Sequence, residues 1–167
     1  MKVVTTYMRK GNLTSIIAAF TILAELIYLG ALGLKAIFSP FSLSLVTIIY
    51  FQGIIAFIFY HFSLRSKFFL IDVLIGLIIE FVSIYFLFLH SFVGVILLLI
   101  GYISEPIAGI LLFKYFYELH KTYALMFFLG AIIFTTGLPF YVINLPYVVI
   151  IGNLVKVFGL IQLRRYI

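Results

Sequence analysis

Charge is what this chain lacks most. Only 10% of its 167 residues are Asp, Glu, Lys or Arg, while 66% are hydrophobic. A soluble domain carries roughly 25% charged residues, so the composition points to a membrane. Cysteine is absent, which excludes disulfides, thiolate metal sites, iron–sulfur ligation and thiol catalysis. The formal charge of +6 is not gathered into a basic block or an aromatic-interleaved patch, so nucleic acid is not an expected partner. No linker, low-complexity tract or leftover soluble segment interrupts the chain, and a single domain over 1–167 is the expectation. Nor is there a nucleophile–base pairing, a phosphate loop or a paired-acid enzyme motif, which weighs against an enzyme.

What is present is a succession of long apolar runs. A bilayer core takes about 20 apolar residues per helix, and charge clusters with Pro or Gly punctuate six such runs, near 13–37, 41–62, 68–89, 92–117, 122–140 and 146–164. The breaks are Ser39-Pro40, Arg65-Ser66-Lys67, His90-Ser91, Glu118 to Lys121, and Asn144-Leu145-Pro146. The expected fold is therefore all-α, a six-helix transmembrane bundle with spans 3 and 4 joined as a tight hairpin. The basic start MKVVTTYMRKGNLTS precedes a run too long for a signal h-region and without a clear cleavage site, so the first span reads as uncleaved.

The cations fall into alternate loops. Lys2, Arg9 and Lys10 precede span 1; Arg65 and Lys67 separate spans 2 and 3. Lys114 and Lys121 lie around the junction of spans 4 and 5, and Arg164 and Arg165 near the end of the chain. Of the remaining loops, only the first has a nearby cation, Lys35. By the positive-inside rule both termini are cytoplasmic, in a cell membrane. Tyr7, Tyr60, Tyr115, Tyr117, Tyr123 and Tyr166 are expected at the inner interface, Tyr141 and Tyr147 at the outer.

The acids break this tidy separation. Five exist, and only Glu118 is in a loop. Glu25, Glu80 and Glu105 each fall near the centre of a span, at about the same depth. Gln52, Thr135, Thr136 and Asn153 supply polar groups near that layer from spans 2, 5 and 6. At 100° per residue, Asp72, Gly76, Glu80, Ser83 and His90 share one face of span 3, within about 80°. Thr14, Thr21, Glu25, Tyr28 and Lys35 share a face of span 1. Gly94, Gly101, Glu105 and Ala108 make a small face on span 4 where a neighbour can pack closely. A carboxylate facing lipid is disfavoured by roughly 2.5 kcal/mol or more, so these faces should meet inside the bundle.

Three carboxylates in one dry layer cannot all ionise without compensation; some stay protonated or share a cation. Lys156, one turn from Asn153, is the nearest cation and is expected to pair with Asp72 or Glu80. Such a layer suits proton or small-cation transport, with Asp72 and His90 at its two mouths and Gln52, Ser83 and Asn153 along the route. The rival reading is a non-catalytic membrane subunit of a larger respiratory or secretory complex, or a homo-oligomer, whose polar layer meets partner helices.

Pro106 sharpens the picture. It has no N–H and its ring crowds the carbonyl of residue 102, so span 4 should kink or open near Tyr102 beside Glu105. Opened helices at mid-membrane are a recurrent device of secondary transporters. AELIYLGALGLKAIF (24–38) and SEPIAGILLFKYF (104–116) both place a Glu about ten residues before a Lys, a faint echo that fits a 3+3 inverted repeat. No cofactor is expected. Haem would need His61 with His120, and a carboxylate-bound metal would draw on Asn153 or Gln52; both are minor alternatives. Asn12-Leu13-Thr14 matches a glycosylation pattern on the wrong side for use.

ILAELIYLGALGLK, residues 22–35, locally resembles the first helix of the small multidrug resistance transporters. In that family a membrane Glu in a similar Ala-Glu setting binds protons and cations competitively, and Glu25 is the matching residue. The likeness covers about a tenth of the chain. The family has four spans, and no counterpart to Glu80 or Glu105.

Overall fold

In the computed structural model the described backbone covers residues 2–143 and 145–167, and the described side chains residues 6–141, 143 and 145–167. Asn144, in the expected last loop, and the Lys2 side chain lie outside them. Among the described residues seven helices follow one another: α1 (Lys2–Leu32), α2 (Pro40–Leu64), α3 (Lys67–Phe88), α4 (Phe92–Gly101), α5 (Ser104–Leu119), α6 (Lys121–Gly137) and α7 (Tyr147–Leu163), with short 3-10 segments at Leu34–Phe38 and Leu138–Ile143. Among the described residues there is no strand. Five helical stretches are long and apolar enough to cross a membrane, one of them Phe92–Leu119 across the α4–α5 break, and Tyr147–Leu163 is a shorter apolar helix. Large apolar side chains cover the outside, among them Ile71, Ile78, Phe81 and Tyr85 of α3. That surface suits a hydrocarbon solvent and would aggregate in water.

Local chemistry sets the helix ends. Ser39, Ser66 and Ser91 cap α2, α3 and α4 by accepting from Ser42 N, Phe69 N and Val93 N, which satisfies N–H groups that have no partner within the helix. Pro40 follows as the first residue of α2, where a missing N–H costs nothing. The first helix differs from the expected 13–37. It begins at Lys2, and its 31 residues span about 46 Å, beyond a core of about 30 Å. It stops at Gly33, whose φ of +83° is open to glycine at little cost.

Packing is closest where side chains are smallest. Gly130 and Gly137 on α6 and Gly152 and Gly159 on α7 sit two turns apart, and each meets the other helix at or near its backbone. The stripe on α3 is likewise a seam. Gly76 meets Ser104, and Glu80 lies against Gly101. Ser83 donates to Gly94 O at 2.8 Å. These pairs join α3 to α4 and α5 in antiparallel register.

Two asparagines clasp the first helix to the last. Asn12 donates to Leu160 O at 3.2 Å and Asn153 donates to Ala19 O at 2.8 Å. Both asparagines are fully buried. The glycosylation pattern at Asn12 is thus a helix–helix contact. The same end of the bundle gathers both chain ends: Arg9, Lys10 and Arg164 line one groove, and Tyr166 lies 4.9 Å from His120 in the α5–α6 turn.

Candidate functional site

Span 4 is interrupted at Tyr102 and Ile103, between α4 and α5. Pro106 cannot donate to Tyr102 O, which instead receives Glu105 N at 3.1 Å and the Thr135 hydroxyl of α6 at 3.5 Å. A carbonyl released in an apolar setting must find such partners. Glu105 is held in the first turn of α5, so its position follows directly from the interruption. By contrast α1 runs unbroken through Glu25.

Around this break lies a cavity of about 180 Å³, room for about six waters at ~30 Å³ each. Glu80 of α3, Glu105 of α5 and Lys156 of α7 line it, with Ser15, Tyr60 and Ser104. The walls are otherwise apolar or aromatic, including Phe57, Phe69 and Phe127. Lys156 Nζ lies 2.7 Å from Glu105 Oε1, with the lysine 4% and the glutamate 30% exposed. The ammonium also sits 4.3 Å from the centre of the Phe134 ring, a cation–π contact.

This pairing corrects the expectation that Lys156 meets Asp72 or Glu80. Gly130 lets the α7 backbone press onto α6 at Lys156, and from there the side chain passes Phe134 to the start of α5. Asp72 instead has a buried Oδ2 without a partner.

Glu25 is not in that cavity. It is 6% exposed and lines a separate chamber of about 70 Å³ with Tyr102, Tyr141 and apolar side chains of α1, α2, α4 and α6. The Ser42 hydroxyl donates to its Oε1, and its Oε2 is buried without a partner. The single layer of three carboxylates is therefore two compartments. Tyr141, expected at the outer interface, is buried here and donates to Leu26 O at 2.5 Å. Tyr60, expected at the inner interface, is buried against Gly11.

Of the residues assigned to the supporting route, only Lys156 lines either compartment. Ser83 and Asn153 are committed to backbone carbonyls. Gln52 has a buried Oε1 without a partner. His90 is exposed in the α3–α4 turn, at φ +55° and stacked on Phe38 at 5.7 Å. Thr14 and Thr21 donate back to Lys10 O and Ile17 O of their own helix. Among the described residues, no three His, Asp or Glu side chains gather as a metal site.

Sequence reading missed Tyr102, Ser104, Ser15 and Tyr60 as cavity residues. Tyr102 had a signal, its place four residues before Pro106. Ser15 and Tyr60 had none, because their burial depends on which helices become neighbours.

Comparison with known proteins gives no match to a protein-family model, a curated protein or a solved structure.

Proposed function

We propose that the chain is a multi-pass transporter or channel-like protein that moves protons or small cations through the cavity between Glu80, Glu105 and Lys156. In this reading it has six spans and, by its Lys and Arg distribution, both termini in the cytoplasm. The observation that carries it is the convergence of two carboxylates and one ammonium on a mostly apolar, partly open cavity.

The charge count makes the case. With both glutamates ionised, Lys156 balances one of them and a single negative charge is left over. An uncompensated charge in the hydrocarbon region costs roughly 2.5 kcal/mol or more, so the cavity favours uptake of one positive charge, a proton or a monovalent cation. Entry of a cation at Glu105 competes with Lys156 for the same oxygen. Release follows when the lysine returns. Glu25, in the adjoining chamber, is a further carboxylate on the same route.

Flux into liposomes carrying an entrapped pH-sensitive dye tests this, with Glu80→Gln and Glu105→Gln as the deciding variants.

A further inference from the structure

The two compartments share three lining residues: Ile22 of α1, Ile49 of α2 and Tyr102. These side chains are the wall between them. Tyr102 differs from the two isoleucines in its backbone, for it lies in the two-residue interruption between α4 and α5. Its N–H still bonds Leu98 O at 3.1 Å, but its carbonyl lacks the usual donor four residues on because Pro106 has no N–H, so a turn there breaks fewer helical bonds than one inside a helix.

What holds the ring is also visible. Tyr102 meets Phe134 edge-to-face, with centroids 5.4 Å apart and planes at 84°. Phe134 carries the Lys156 ammonium against its ring, and Lys156 is held by Glu105. The wall residue is thus joined through one ring to the ion pair of the larger cavity. Thr135, the next residue on α6, bonds the Tyr102 carbonyl.

We propose that Tyr102 is the gate between the Glu80–Glu105 cavity and the Glu25 chamber, with Ile22 and Ile49 as its seat. Its role in transport rests on the proposed function. The wall itself does not, and it can be probed without any flux. A closed ring keeps the two carboxylate compartments from exchanging ions or water. Swinging at the interruption joins them. The opening arises where Glu105, in the first turn of α5, follows a break in the backbone.

The absence of native cysteine supplies the test. Leu98→Cys places one thiol in the small chamber and Ala108→Cys one in the large cavity. Each is reacted in the full-length protein in proteoliposomes with methanethiosulfonate ethylammonium, and the ratio of the two rates reads the wall. Adding Tyr102→Ala should raise the Leu98→Cys rate at least tenfold relative to Ala108→Cys. Ile49→Ala, which leaves the interruption intact, should raise it in the same direction, and Tyr102→Phe, which keeps the ring, should not. A Leu98→Cys rate that neither Tyr102→Ala nor Ile49→Ala changes overturns the gate. A protein that labels as expected yet carries no flux overturns the transport reading and leaves the gate standing.

Discussion

Lys156 Nζ of α7 and Glu105 Oε1 of α5 are 2.7 Å apart, and the contact ties the last helix to the residue just before Pro106. Its two ends are unequally shielded, the lysine 4% and the glutamate 30% exposed. Removing one partner of a buried pair strands the other, at a cost of about 3 kcal/mol or more. Glu105→Gln strands an almost fully buried ammonium, whereas Lys156→Met leaves a carboxylate that the cavity partly hydrates. Thermal unfolding in detergent should therefore rank Glu105→Gln below Lys156→Met. The double variant should recover much of the loss. A double variant no better than Glu105→Gln alone would show that the pair is not coupled.

The α6–α7 glycines give a second expectation. A Cβ on Gly152 would strike the Phe134 backbone, whereas one on Gly53 meets only Leu77 Cδ2 at 4.0 Å. Overpacking costs typically about 1–3 kcal/mol, and more where a backbone must move. Gly152→Ala should lower stability by at least ~2 kcal/mol and Gly53→Ala by less than about 1 kcal/mol. Equal losses in a denaturation series would contradict the helix pairing.

The reciprocal asparagine clasp makes a third. Interhelical hydrogen bonds in membranes contribute about 0.6 kcal/mol on average and up to about 1.7 kcal/mol. Asn12→Ala and Asn153→Ala should each lower the free energy of unfolding by an amount in that range. Transport by Asn12→Ala, whose side chain does not line the cavity, should persist. Loss of transport with unchanged stability would move Asn12 from the packing into the route.

How far the sequence foretells this arrangement differs by level. The helix stops are written locally: Ser39-Pro40, Ser66 and Ser91 supply their own caps, and no distant contact is needed to read them. The interruption of span 4 is local too, since Pro106 alone removes the donor to Tyr102 O. Partners are another matter. The face holding Asp72, Gly76, Glu80 and Ser83 was visible as a stripe, but a stripe looks the same whether it lines a route or seals against Gly94, Gly101 and Ser104. Position along a helix is equally legible for Glu25 and Glu105. Their separation by Tyr102, Ile22 and Ile49 depends on three helices converging, which one-dimensional spacing does not encode. Lys156 pairs with Glu105 because Gly130 brings α7 against α6, a fact of packing.

Pro106→Ala tests the interruption itself. Proline in a first turn removes a donor that has little intrahelical use there, so stability should change by less than about 1 kcal/mol. The restored N–H competes with Thr135 for Tyr102 O and favours a continuous helix through 92–119. Flux should fall by about tenfold or more if the opened backbone serves transport. Full flux in a variant whose helix content rises by circular dichroism would detach the break from function.

The most direct measurement is flux through the purified protein in liposomes carrying an entrapped pH-sensitive dye, under an imposed proton or monovalent-cation gradient. Glu80→Gln, Glu105→Gln and the intact chain are compared at equal reconstituted amounts, each verified as folded. The account predicts flux for the intact chain and its loss in both variants. Undiminished flux in either variant would contradict it, because the cavity would then conduct without the charge on which the account depends.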